Sequence, residues 1–142
     1  MPAPPVPPPA QPVAVVSNWT ANSLVVTSDE GNVCGGVTVI GATAKDIEWR
    51  ITTNDPAILL EVDMVNYPTD HMRYAGTATG LEFTGSYDTG SEYLDFFCEL
   101  RGGRLSGYFS ADHSRFDATE TLIWGPSSEE RTVTRRWTGL KR

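Results

Sequence analysis

The sequence predicts an all-β fold: an antiparallel meander of eight to ten strands closed into a barrel, with a two-sheet sandwich as the competing arrangement. Three observations carry this. Short runs rich in β-branched and aromatic residues are broken at close intervals by Gly, Asn, Asp and Pro, the punctuation of strands joined by tight turns. Apolar and polar residues alternate within several runs, because successive side chains leave opposite faces of a strand. No segment keeps a 3.6-residue apolar period over a helical length.

Residues 1–13 (MPAPPVPPPAQPV) hold seven of the ten prolines. Proline fixes φ and removes the backbone donor, so this arm is expected to be extended polyproline II. It has neither the basic nor the apolar region of an export signal. The expectation is a tether that follows a removed leader, in one form a lipidated anchor. The alternative is a ligand for a proline-binding domain, given the P-x-x-P spacing of Pro5 to Pro8 and Pro9 to Pro12. Residues 14–142 form one domain, long enough to bury a core without metals.

Within that domain the strands are expected at 19–27, 33–40, 46–53, 58–66, 71–79, 81–87, 93–101, 104–111, 116–124 and 131–139. Turns fall between them, among them Thr53-Asn54-Asp55-Pro56 and Gly102-Gly103. Alternation places Ile47, Trp49 and Ile51 on one face; Leu81, Phe83, Gly85 and Tyr87 on another; and Leu105, Gly107, Phe109 and Ala111 on a third. Such one-sided burial suits a meander with one face in the core and one in water. Closing it into a barrel removes the exposed edges of an open sheet.

The net charge is −7, but five of the eleven basic residues lie in the last twelve positions, beside no acid. The rest of the chain is strongly acidic and offers no basic surface for a polyphosphate, so nucleic acid is not an expected partner. No apolar run approaches the roughly 20 residues of a membrane helix. The two cysteines, Cys34 and Cys98, are expected to pair, which implies an oxidising compartment and an exported protein. Such a staple stabilises by roughly 4 kcal/mol on the loop-entropy account. The alternative is two separate buried thiols.

The strand RFDATETLIWG places Phe116, Ala118, Glu120, Leu122 and Trp124 on one face, a carboxylate among apolar neighbours. A buried carboxylate requires a partner. The next strand, RTVTRRWTG, places Val133, Arg135 and Trp137 together, so a Glu120–Arg135 ion pair inside the barrel is expected. It serves either as a lock between strands or as a ligand-recognition or acid–base group. His71 and His113 fall at strand edges or turns and read as solvated. No nucleophile, zinc, phosphate-loop or dinucleotide motif occurs, and neither a cofactor nor a metal is expected.

A Trp in the first strand (Trp19), a meander of short strands, and arginines in the last strand (Arg135, Arg136) resemble a lipocalin-like (calycin) barrel. The resemblance implies that the first-strand Trp packs under a terminal Arg, closing one end. The sequence departs from the family in the Ser17-Asn18 that precedes Trp19, where Gly-x is expected, and in the lack of a helix after the last strand.

The leading functional expectation is a noncatalytic domain binding a small apolar ligand in the lumen. Trp49, Met64, Tyr74, Phe83, Phe96, Phe109 and Trp124 are its apolar candidates, and Glu120 and Arg135 its polar anchors. A solid core made of the same residues is the competing expectation. A second functional reading is an envelope-associated interaction or inhibitor module using exposed Tyr93, Phe97 and Tyr108. A third is a barrel enzyme with Glu120 as acid or base.

Overall fold

The computed structural model describes residues 3–5, 14–28, 40–63, 71–87, 92–93, 99–124 and 131–142. They form strands and turns without a helix, so no helix is long and apolar enough to cross a membrane. The strands are β1 (Val15–Ser28), β2 (Thr43–Asn54), β3 (Ala57–Asp63), β4 (His71–Thr79), β5 (Glu82–Tyr87), β6 (Glu92–Tyr93), β7 (Glu99–Phe109), β8 (Arg115–Trp124) and β9 (Arg131–Lys141).

All pairings are antiparallel and follow chain order, with two additions that close the sheet. β1 pairs with β9, and β5 pairs with β7. The two-residue β6 lies beside the start of β7. The other eight strands therefore form a closed barrel in which each has two neighbours. This selects the barrel over the sandwich.

The barrel's eight strands fall within the expected eight to ten, with one expected turn found inside a strand. Gly102-Gly103 is not a turn: β7 runs straight through it, with a register shift between Leu100 and Gly102 against β8. Gly103 is needed for room, since a Cβ there would stand 3.0 Å from the Tyr74 hydroxyl inside the barrel. A glycine in a strand marks such close approaches as readily as it marks turns. Ile40 sits in the turn before β2, and residues 33–39 of the expected second strand lie outside the described residues. Leu81 and Ala111 sit in turns, not strands, and are exposed. Met64, Phe96, Phe97, Cys34 and Cys98 lie outside the described residues; Tyr93 and Trp124 are placed by backbone alone.

The two ends of the barrel differ. The hairpins Asp55-Pro56, Gly80-Leu81 and 110–114 close one end, where β1 starts and β9 finishes. The strand ends at Ser28, Asp63, Tyr87 and Trp124, which lead into the longer connections, lie at the other. The short-turn end is filled by rings. Phe116 lies 4.8 Å from Trp49 and 5.2 Å from Trp19, while Trp49 meets Trp137 at 5.0 Å and Phe83 meets Phe109 at 4.8 Å. Offset and edge contacts of this kind contribute about 0.5–1.5 kcal/mol each beyond the area they bury. Trp19 is thus part of an aromatic plug with Phe109 and Phe116. The cation Arg135 lies over Trp137, 5.1 Å from its ring, and Arg136 is exposed.

Candidate functional site

Two places carry chemistry. The first is the polar cluster in the middle of the barrel. Glu120 on β8 and Arg135 on β9 are direct ladder partners, and both are buried. The Arg135 Nε donates to Glu120 Oε1 at 2.6 Å, and the Trp137 indole donates to the same oxygen at 3.0 Å. The Tyr74 hydroxyl, reaching from β4, donates to Oε2. The Arg135 Nη2 lies 3.5 Å from the Met72 sulfur. The carboxylate, which has no solvent exposure, is thereby held by donors on both oxygens, the arrangement a buried charge requires.

The cluster is sealed along the strands. One step toward the long-connection end stand Leu122, Val133 and Met72; toward the short-turn end stand Ala118 and Trp137. All are buried. The arrangement locks β4, β8 and β9 together across the interior.

Tyr74 gives this cluster a pH signature. Burial first, and then the Glu120 charge, push its hydroxyl well above the ordinary value of 10.0. Above about pH 10 the unfolded phenol loses its proton while the folded one keeps it. Stability contributed below that pH is therefore lost as pH rises toward the folded value. Tyr74→Phe is expected to cost about 1.5–3 kcal/mol at about pH 8, the range for a hydrogen bond to a charged group. The deficit relative to wild type should shrink by about 1.4 kcal/mol per pH unit above 10. Urea unfolding at stepped pH checks this, and a deficit that stays constant to about pH 11 contradicts it.

The second place is a cleft of about 320 Å³ at the short-turn end of the lumen. Its floor is apolar and buried: Trp19, Ile51 and Phe109. Its rim carries Asp55, His113 and Lys141, all exposed. Trp19 is held in place by its indole, which donates to Ser17 Oγ at 2.8 Å. On the outside of the barrel a second, shallower depression of about 300 Å³ is lined by hydroxyl groups, Arg104 and backbone of β4, β5 and β7, with no apolar floor of comparable kind.

The turn that carries His113 is held by its neighbours. Asp112 Oδ1 accepts from the hydroxyls of Ser110 and Ser114, both at 2.7 Å, and from the Ser114 N–H at 3.1 Å. His113 takes a left-handed φ of 54° there, and its ring lies 5.6 Å from Phe109. The bonds from Ser114 and then Ser110 bring the Asp112 carboxyl down from 3.8 to about 2. The turn's contribution is therefore complete above the ordinary carboxylate pKa and is lost as pH falls through about 2. A carbon-detected NMR titration should show the Asp112 midpoint near 2, moving up toward 3.8 in Ser114→Ala. A midpoint unchanged by that substitution would contradict the bonding scheme.

Of the residues singled out from sequence, Trp49, Tyr74, Phe83, Phe109, Glu120 and Arg135 all lie buried inside the barrel. Tyr74, Glu120 and Arg135 are in direct contact, and Phe83 contacts Phe109. Phe109 alone of the set lines the cleft. Trp19, Ile51, Asp55, His113 and Lys141 were not among the sequence candidates for ligand contact. Trp19 and Ile51 carried a signal in their alternation; the rim residues come from turns and a strand end, where alternation is silent. Tyr108, 60% exposed, stands between Glu82 and Asp117 in the ladder. Among the described residues no three His, Cys, Asp or Glu side chains converge as metal ligands.

Comparison of the chain with protein-family models finds no match, and comparison with curated proteins finds none either. Its class is that of a closed, eight-stranded antiparallel β-barrel.

Proposed function

We propose that the protein is a noncatalytic, exported binding barrel of lipocalin-like type that holds a small apolar ligand at the short-turn end of its lumen. The observation that carries this is the cleft of about 320 Å³ floored by Trp19, Ile51 and Phe109. Its volume falls at the lower end of the range for small-molecule sites, and its composition, mostly apolar with a few polar groups, matches them. The polar cluster and the aromatic plug supply a rigid base, which reduces the ordering cost of binding. Export is supported by the proline-rich arm and by the two cysteines. The lipocalin-like reading is supported by the meander and by Trp19 on the first strand; Lys141 is the cationic residue opposite Trp19 in the ladder.

The test is an NMR titration of the whole chain with 2-phenylethanol and 1-naphthol, followed at the Trp19 indole N–H and at His113. Saturable shifts at both positions are expected. Ala78→Phe, which fills the cleft from β4, should abolish them while leaving the far-UV circular dichroism unchanged; Ala78→Val should weaken them. Uptake that is indifferent to both substitutions, or no shift with either probe up to its solubility limit, overturns the reading.

A further inference from the structure

We propose that the ligand of the short-turn cleft is a monocarboxylate with an aromatic or short apolar body, its carboxylate held by Lys141 and His113. This rests on the binding reading above and specifies the chemistry of the same site. The two rings of the floor, Trp19 and Phe109, lie 5.7 Å apart at a tilt of 39°. Both flank the same pair of polar groups: Lys141 is the ladder partner of Trp19, and the His113 ring sits 5.6 Å from Phe109. The two are tied to one another through the backbone, since the Lys141 N–H donates to the Ser114 carbonyl at 2.9 Å. Aromatic floor and nitrogen donors therefore form one wall of the cleft.

The polar side chains on that wall are available. Neighbouring cations are engaged: Arg142 pairs with Glu48 at 2.8 Å and Arg115 with Asp117 at 3.4 Å. Among the described residues Lys141 and His113 have no side-chain hydrogen bond or ion pair. Asp112, adjacent to His113, turns its Oδ1 into the Ser110–Ser114 turn. Asp55 belongs to the β2–β3 hairpin, half-way round the eight-strand ring from the β7–β8 turn that carries His113. It therefore repels an anion from the side opposite His113 and orients its carboxylate toward the wall that carries His113 and Lys141. One fixed positive charge, one imidazole donor and one opposed carboxylate match a single negative charge, while an ammonium group on the same wall meets Lys141. Ion pairing beside a low-dielectric floor is stronger than in open water, and the planar carboxylate can take both nitrogen donors at once.

The experiment is the same NMR titration with phenylacetate, 2-phenylethanol and 2-phenylethylamine, on the wild-type chain, Lys141→Met and Ala78→Phe. Phenylacetate is expected to bind about tenfold more tightly than the alcohol, consistent with a charge-assisted hydrogen bond, and the amine more weakly than either. In Lys141→Met the ratio of phenylacetate to alcohol affinity should fall to within about twofold of unity, on that same scale. If the wild type binds acid and alcohol equally, or if Lys141→Met keeps the preference, the carboxylate assignment fails. The binding reading survives that result as long as Ala78→Phe still abolishes alcohol uptake. If none of the three probes shifts Trp19 or His113, both fall together.

Discussion

Glu120→Gln is expected to destabilise the barrel by about 3–5 kcal/mol, the range for breaking a buried ion pair by removing one partner. The amide is nearly isosteric, so packing changes little and the loss is electrostatic. Arg135, only 7% exposed, keeps its buried charge but loses the carboxylate that its Nε donates to. The amide nitrogen also brings a donor to a place where donors already converge. One end of Gln can accept from Arg135 and Trp137, but the other then faces the Tyr74 hydroxyl, which now donates to Oε2. Removing both charges is a different matter. In Glu120→Leu/Arg135→Met the desolvation cost disappears along with the attraction, an exchange that is often neutral or stabilising. The exchange also takes the acceptor from Tyr74 and Trp137, about 1–3 kcal/mol for each orphaned donor. Adding Tyr74→Phe should recover one of these. The expected order of urea midpoints is wild type, then the triple variant, then the double variant, with Glu120→Gln the least stable. A Glu120→Gln midpoint indistinguishable from wild type is incompatible with the cluster as described.

That cluster was half legible in the sequence. Period-two alternation across one hairpin sets Glu120 and Arg135 on the same face and in register, which needs only local strand geometry. Tyr74 is 46 residues away from Glu120 on a strand that neighbours neither β8 nor β9. Its contact depends on closure through the β5–β7 and β1–β9 pairings, and the stagger of a closed barrel is not written in any single strand. The Gly102-Gly103 pair shows the opposite failure. Two glycines read as a turn because turns are their most frequent setting, whereas here one clears space for a tyrosine ring from across the lumen. The cleft was the least legible feature. Its floor comes from inward positions of β1, β2 and β7, and its rim from two hairpins and the end of β9, segments brought together only by the closed ring.

A second large effect is expected at the pair Phe116 and Gly139. The two are ladder partners on β8 and β9, and the Phe116 ring folds over the bare Cα of Gly139, so that a Cβ there would run into the ring. Phe116 has no exposure and touches Trp19, Trp49, Phe83 and Phe109. Phe116→Ala is expected to cost about 3–5 kcal/mol, the transfer term plus that of a cavity which four large rings cannot collapse to fill. Gly139→Ala is expected to cost about 1–3 kcal/mol by overpacking. The informative quantity is the combination. Once the ring is gone, the methyl at position 139 has open space and restores some of the lost contact, so the double variant should be no less stable than Phe116→Ala alone. This corresponds to a coupling energy of about 1–3 kcal/mol, well above the scatter of independent sites. Urea unfolding of the four proteins completes the cycle. Simple additivity would mean that the ring does not lie on Gly139, and with it would go the aromatic plug that forms the base of the binding cleft.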